Sequence, residues 1–199
     1  MPSHVREAYL YHLLLNPPDE IAHMRRVPPE KKPKVPTAKA KAKSKRPKTN
    51  NATIVDEDEI VQPPPTIIFC TRPKTVAYLT HFLKVLDIRA TALHSRLTQR
   101  ERLNSLDLFR ASVIPVLVST DVGARGLDIE DVALIVNWDM PTEPEEYTHR
   151  VGRTARKGRS GMAVSFVTER DEEKVQKIEA RIGKGWGLQK EGKSVDVSI

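Results

Sequence analysis

The stretch from His149 to Arg159 has the highest density of residues that could bind or act on a phosphate. Five of its eleven residues are arginine or lysine and none is acidic. A guanidinium is a planar fork of N–H donors that matches phosphate oxygens, and it can stabilise charge developing on a transferred phosphoryl group. A helix running through the stretch would place His149, Arg153 and Arg156 on one face. For this stretch taken alone, a solvated basic face without a ligand is the simpler interpretation.

A second candidate is the segment 119–128, which reads Ser-Thr-Asp-Val-Gly-Ala-Arg-Gly-Leu-Asp directly after an apolar run. Gly123 and Gly126 would let backbone amides approach a phosphate or a neighbouring loop closely. A tight turn between strands explains the glycines equally well. No glycine precedes Gly123, so residues 1–122 contain no Gly-x-x-x-x-Gly-Lys-Ser/Thr loop that cradles phosphates; the letters of that pattern occur once, at 187–194, beyond the last predicted helix.

The remaining reactive side chains are weaker candidates. The six histidines lack the spacing of metal ligands, so no metal site is predicted. Cys70 is the single cysteine, which excludes an intramolecular disulfide framework and fits a reducing, intracellular compartment. Its place at the end of an apolar run predicts an inert, buried thiol. Trp138 and Trp186 are expected to be packing anchors rather than stacking platforms for bases.

The charge is unevenly distributed along the chain. The net charge is +7, yet residues 31–50 carry nine basic side chains and no acidic one, so the rest of the chain is slightly acidic. A targeting signal, an RNA-binding tail and a solubilising linker explain this basic stretch equally well. No apolar run approaches the roughly 20 residues that span a bilayer, so no membrane partner is expected.

The hydrophobic pattern predicts an α/β domain over residues 66–182. Short apolar runs predict strands over 66–70, 90–93, 113–118, 132–137 and 162–167. Helical spacing predicts helices over 4–15, 73–86, 98–109 and 169–182, and a further helix from Thr142 through the arginine-rich stretch. Thr98 and Thr142 each begin a capping-box pattern. Strands alternating with helices imply a three-layer domain with a mainly parallel sheet, whose ligands bind at the carboxyl ends of the strands.

The other segments flank this domain. Residues 1–15 are assigned to the same domain through their helix, and residues 183–199 to a C-terminal tail. The Pro/Lys-rich segment 16–65 has almost no hydrophobic periodicity and is predicted to be a disordered, basic insertion.

Four motifs in order resemble the second RecA-like domain of the DEAD-box RNA helicases. They are Ile-Ile-Phe-Cys-Thr-Arg at 67–72, Ala-Leu-His at 92–94 with Gln99 and Arg102, the segment 119–128, and His-Arg-x-Gly-Arg-Thr-x-Arg at 149–156. They correspond to motifs IV, IVa, V and VI, and the resemblance covers residues 1–15 and 66–182. His149 favours the DEAD-box class, because related helicases usually begin motif VI with glutamine. Around Leu93-His94-Ser95 and Arg153-Thr154-Ala155-Arg156, the sequence is similar to that of family members acting in the nucleolus.

The resemblance implies a nucleotide site and contacts to a second domain. Arg153 and Arg156 would be arginine fingers on the γ-phosphate of ATP, which binds with Mg mainly to the first RecA-like domain, absent from this chain. Gly126 and Asp128 would lie at the ribose. Contacts between the two domains are implied for three further residues: Arg125, His149 and Arg150.

The resemblance also implies an RNA site that contacts the backbone without reading sequence. The residues concerned are Arg72, Ser95, Arg96, Gln99, Arg102, Thr120, Asp121 and Gly123. Three of them depart from the family: Ser95 and Arg96 follow His94 where His-Gly-Asp is common, and Gly123 stands where alanine is usual. Arg96 would then supply a side-chain contact to phosphate in place of a close backbone approach.

The implied function is that of the C-terminal domain of an ATP-dependent RNA helicase in rRNA processing and small-subunit assembly. The expected location is the nucleus and nucleolus, and the expected partners are RNA, the first RecA-like domain and a protein cofactor in pre-ribosomes. This chain alone is predicted not to hydrolyse ATP. The alternatives are a non-enzymatic module that docks a helicase cofactor, and a helicase acting on DNA.

Overall fold

The computed structural model describes residues 5–25, 61–124, 126, 129, 132–155, 160–182, 188–191 and 194–197, the last two ranges by their backbone. The helices are α1 (Arg6–Leu15), α2 (Asp19–Ala22), α3 (Pro73–Val85), α4 (Gln99–Arg110), α5 (Asp121–Ala124), α6 (Pro144–Val151) and α7 (Glu172–Ile182). The strands are β1 (Thr66–Cys70), β2 (Ala90–Leu93), β3 (Val116–Thr120), β4 (Leu134–Asn137), β5 (Met162–Phe166), β6 (Leu188–Glu191) and β7 (Ser194–Val197). No helix within these ranges is long and apolar enough to cross a membrane.

Five parallel strands form the centre of the sheet, in the order β2-β3-β1-β4-β5. The strands β7 and β6 follow beside β5 in antiparallel pairing, so the predicted tail extends the sheet. The crossovers between parallel strands require helices on the sheet faces. The predicted α/β class with a mainly parallel sheet is therefore confirmed.

Side chains from alternate positions of each strand enter two different cores. On one face, Ile68 and Val118 pack with α1 and α3 through Leu10, Leu14 and Leu79. On the other face, the sheet packs against α4, α6 and α7. The core on this face includes Ile67, Phe69, Leu117, Leu106, Tyr147 and Ile178. Strands buried on both faces explain why the apolar runs are continuous rather than alternating.

The predicted disordered segment 16–65 is too wide at both ends. After Pro18 the chain forms α2, whose Ile21 is buried in the core of α1 and α3. At the other end, the side chain of Gln62 bonds the carbonyl of Asp87 and the amide of Arg89, each at 2.8 Å. A single apolar anchor and one amide clamp are too small to give a periodic signal, so the sequence pattern missed them. Residues 26–60 lie outside the described residues.

The predicted helix through the arginine-rich stretch is wrong. Helix α6 ends at Val151, and Glu143 rather than Thr142 occupies its N-cap without a side-chain cap bond. Beyond the helix, the Thr154 hydroxyl donates to the carbonyl of Val132, which draws the chain toward the start of β4. His149 and Arg153 therefore come together through a turn and not through a shared helical face.

The apolar run 113–118 does not all belong to β3. The amides of Val113 and Ile114 donate to the carbonyl of Leu108, at 3.0 and 3.2 Å, and so close the end of α4. Only from Val116 does the chain pair with its neighbours. The predicted strand therefore begins three residues too early.

Candidate functional site

Polar residues meet where β1, β3 and β4 end. The parallel register sets Cys70 beside Thr120 and Phe69 beside Asn137, so the residues that follow these strands share one edge. The short helix α5 begins directly after β3 with Asp121. This edge is where ligands bind in open parallel sheets, and described residues of all four sequence motifs lie at it.

Arg150 is the buried centre of this edge. Its Nε and Nη2 donate to the two carboxylate oxygens of Asp121 at 2.6 and 2.7 Å. Its Nη1 donates to Oδ1 of Asn137 at 3.1 Å and to the carbonyl of Asp139 at 2.7 Å. The guanidinium also lies 5.2 Å from the ring centroid of Phe69. A planar fork with this many partners locks α6 to the ends of β3 and β4.

The position of Arg150 differs from the one implied by the resemblance. Its side chain is 1% exposed, and its hydrogen bonds go to partners within this domain. Asp121, implied as an RNA contact, has both carboxylate oxygens occupied by Arg150. The pair therefore supports the site from within the domain. Burial raises the pKa of the nearby Cys70 thiol, with a further rise from Asp139, so this thiol stays protonated and inert.

A cleft of about 330 Å³ opens in front of this buried pair. The residues that line it are Phe69, Asp121, Ala124, Gly126, Glu146, His149, Arg150 and Arg153. Arg153 lies in the turn that follows α6, and its side chain lines the cleft. The hydrogen bonds of Arg150 hold the end of α6 from which this turn begins. Arg150 pairs with Asp121, and Arg153 and Glu146 supply the other charges of the lining. The guanidinium of Arg153 has the geometry to bind an anionic group such as a phosphate. Within the described residues, no three His, Cys, Asp or Glu side chains are grouped as metal ligands.

The β2 and β3 ends are held together by backbone contact at Gly123. A Cβ atom on Gly123 would lie 2.5 Å from the carbonyl oxygen of Leu93 and 3.1 Å from the Cα of His94. The amide of Gly123 donates to the Thr120 hydroxyl at 3.1 Å, and its carbonyl accepts from Nη2 of Arg102 at 3.3 Å. Helix α4, the loop after β2 and helix α5 thus converge on one glycine.

Residues 50–158 match the family model described as the helicase conserved C-terminal domain, which spans more than half of the chain. The chain belongs to this family. Helicase C-terminal domains of the DEAD-box class are also its structural neighbours. The domain resembles the E. coli DEAD-box protein SrmB, solved with the regulator of ribonuclease activity A, at 36% identity and a TM-score of 0.57, over 59% of this chain and 69% of that one. It resembles S. cerevisiae Dbp5, solved with RNA and ADP BeF3, at 38% identity and a TM-score of 0.56, over 59% of this chain and 32% of that one.

A relative is the ATP-dependent RNA helicase DBP8 of Mycosarcoma maydis, which is 44% identical over 190 residues. The match covers 92% of this chain and 36% of that protein, so the helicase C-terminal domain described here spans about a third of the relative's length. The resemblance to the second RecA-like domain of DEAD-box helicases is therefore confirmed, and the fold is that of these domains.

The structure places the implied RNA residues of the helicase domain in two groups. Ser95, Arg96 and Gln99 are exposed around the start of α4, and Arg72 is exposed before α3. Thr120 and Gly123 are buried, and their polar groups bond each other. Arg102 lies between the groups, where its Nη1 donates to Gln99 at 3.5 Å. The exposed group can touch a ligand directly, whereas the buried group shapes the loops that carry it.

The loop after β2 is shaped by its own histidine. Nδ1 of His94 accepts from the amide of Arg96 at 3.2 Å, which turns Ser95 and Arg96 outward. Burial, and then the charge of Arg96, lower the pKa of His94, so the ring stays neutral and keeps its acceptor. The predicted capping box at Thr98 is present and begins α4 directly after this loop.

Three implied site residues, Arg125, Asp128 and Arg156, lie outside the described residues. Two residues that organise this edge, Asn137 and Asp139, were missed by sequence reasoning. Their signal was available, because both follow the apolar run of β4 in the way that Thr120 and Asp121 follow β3.

Proposed function

We propose that this chain is the ATP- and RNA-contacting C-terminal domain of an ATP-dependent RNA helicase. The observation that carries the proposal is the cleft in which Arg153 lies, directly beyond a helix that the buried Arg150 locks to Asp121. Such an arrangement holds a guanidinium in place before its ligand arrives, as electrostatic stabilisation of a phosphoryl group requires.

The residues of this chain complete a phosphate site rather than build one. ATP with Mg, held mainly by the first RecA-like domain, supplies the bond that is cleaved. Arg153 and Arg156 are proposed to contact its γ-phosphate as arginine fingers. Gly126 and Asp128 are proposed to lie near the ribose. The φ of 71° at Gly126 is left-handed, a conformation that glycine adopts without steric strain. His149, on the cleft wall, and Arg125 are proposed to face the first domain.

RNA is proposed to bind along the same edge through its backbone. Arg72, Arg96 and Gln99 are exposed donors before α3, after β2 and at the start of α4. Contacts to phosphate and sugar position a strand without selecting its sequence. The relative Dbp5 was solved with RNA and ADP BeF3, which supports a joint site for RNA and nucleotide.

The proposed setting is rRNA processing and small-subunit assembly in the nucleolus, with a protein cofactor in the pre-ribosome. The 44% identity to the ATP-dependent RNA helicase DBP8 supports the proposal that this chain comes from a helicase of the same kind. The basic stretch 31–50 is compatible with targeting to the nucleus or with RNA capture.

The test uses a protein that carries both helicase domains and measures ATP turnover with no nucleic acid, with single-stranded RNA, and with DNA of matched sequence. We expect RNA to stimulate turnover and DNA not to do so. Arg156→Ala should abolish hydrolysis with little loss of ATP binding. Arg170→Ala is the matched control and should be unchanged, because Arg170 is an exposed arginine in the turn before α7 and lies outside all four motifs.

Two outcomes would redirect the proposal. Equal stimulation by DNA would move the substrate to DNA. Absence of any stimulated turnover would favour the non-enzymatic module that docks a helicase cofactor. The 199-residue chain alone is expected to show no RNA-stimulated turnover, because the first domain holds the nucleotide.

A further inference from the structure

A series of contacts joins the N-terminal helix α1 to the turn that follows β1. Arg6, in the first turn of α1, places its guanidinium carbon 4.2 Å from the ring centroid of Trp138. Its Nη2 lies 3.5 Å from Oδ1 of Asp139. The other carboxylate oxygen, Oδ2, accepts from the amide and the hydroxyl of Thr71 at 2.9 and 3.2 Å. One carboxylate therefore connects α1 to the residue that precedes Arg72.

The backbone of Asp139 is fixed by the sheet. Its carbonyl accepts from Nη1 of Arg150 at 2.7 Å, and its amide donates to the carbonyl of Phe69 at 3.4 Å. The neighbouring Trp138 packs edge-on against Phe166, with 5.7 Å between ring centroids. With the backbone held in this way, Arg6 and Thr71 determine how the Asp139 carboxylate is oriented.

The pair of Arg6 and Asp139 is partly shielded from water. The two side chains are 13% and 26% exposed. An ion pair at this depth is screened less than one on an open surface. The planar guanidinium also stacks over Trp138, a contact that a lysine ammonium makes less well. Arg6 is thus held in one orientation, with its charge directed at the carboxylate.

We propose that Arg6 is a positioning residue for RNA binding. By holding the Asp139 carboxylate toward Thr71, it orients the turn that presents Arg72 to the RNA backbone. The inference rests on the proposed function, because it assigns a support to RNA contacts at the same edge. It also makes α1 part of the RNA site, although residues 16–65 separate this helix from β1.

The test measures RNA binding by the protein with both helicase domains, using a fluorescein-labelled single-stranded RNA and a non-hydrolysable ATP analogue. Arg6→Ala should weaken RNA binding about three- to tenfold, the range for losing one partly shielded charge pair. The half-saturating ATP concentration should stay unchanged. Arg6→Lys should restore part of the affinity, because it keeps the charge but loses the planar contact with Trp138.

Arg25→Ala is the matched control. Arg25 lies in the same N-terminal segment, and its guanidinium donates to the carbonyl of Leu15 at 2.8 Å. This variant should alter thermal stability without altering RNA affinity. Asp139→Asn gives a second route, because it keeps an acceptor for Thr71 but removes the charge. If Arg6 acts through Asp139, the double variant will bind RNA no worse than Asp139→Asn alone.

Unchanged RNA affinity in Arg6→Ala would overturn the inference. So would parallel losses of RNA and ATP affinity that only follow a loss of thermal stability, because that pattern reports a purely structural role. Arg6→Lys and Asp139→Asn carry the test if Arg6→Ala fails to fold. Failure of the unaltered protein to bind RNA would instead overturn the proposed function, and the inference with it.

Discussion

The two halves of the functional edge are held together by different physical means. Around α6, the buried guanidinium of Arg150 bonds Asp121 after β3, Asn137 at the end of β4 and the carbonyl of Asp139. Around α5, backbone segments meet at Gly123, where no Cβ can be accommodated without a shift. The half around α6, which is proposed to contact nucleotide and is called the nucleotide half, depends on one charged side chain. The half around α5, which is proposed to contact RNA and is called the RNA half, depends on close backbone packing. The two halves should therefore fail differently when altered.

Arg150→Ala should give the largest loss of stability. It removes the ion-pair partner of the Asp121 carboxylate, which is 19% exposed, and it leaves a cavity where the arginine side chain was. Breaking a buried ion pair in this way costs about 3–5 kcal/mol. The free energy of unfolding of the 199-residue chain in denaturant measures the loss. A change below about 1 kcal/mol, the range for an exposed pair, would show that the nucleotide half does not depend on this contact.

Gly123→Ala should have a medium effect and act on the RNA half. The new methyl group would meet the carbonyl of Leu93 at 2.5 Å, so the loop carrying His94 must move. Overpacking of this kind costs about 1–3 kcal/mol. We expect weaker RNA binding by the protein with both domains, together with unchanged ATP affinity. Equal loss of both affinities would erase the distinction between the two halves.

Thr98→Ala should give the smallest of these losses, about 1 kcal/mol, the usual value of an N-cap. The Thr98 side chain accepts from the amide of Glu101 and begins the helix that carries Gln99 and Arg102. Thr142→Ala is the matched control, since Thr142 does not cap α6, and its effect should stay within about 0.5 kcal/mol. Thermal or denaturant unfolding of both variants checks the pair. Equal losses would mean that the second capping box forms after all.

The fold and the position of the site were predictable from the sequence, whereas the burial of one site residue was not. The strands and their order along the chain follow from apolar runs, and the motifs follow from residue type, so the fold and the site edge were predictable. The inward position of Arg150 was not, because Arg150 and Arg153 are two arginines three residues apart on an expected helix, and the resemblance implied a contact between domains for Arg150. Only the end of α6 at Val151 and the burial of Arg150 distinguish a support from a ligand-facing residue.

Contacts distant in sequence were the other part that pattern reading could not supply. Arg6 and Asp139 are more than a hundred residues apart, and no periodicity links them. The same holds for Gln62, whose side-chain clamp on Asp87 and Arg89 lies in a segment predicted to be disordered. Single polar contacts of this kind depend on tertiary geometry, which the hydrophobic pattern does not encode.

Arg153 is proposed to act on a phosphate, whereas Arg150 supports the fold. The most direct test measures RNA-stimulated ATP turnover at saturating ATP for Arg153→Ala in the protein with both domains, beside ATP affinity and unfolding. We expect turnover to fall about a thousandfold or more, the usual effect of removing an arginine finger, with ATP affinity and stability nearly unchanged. Turnover close to that of the unaltered protein, or a loss that merely parallels unfolding, would contradict it.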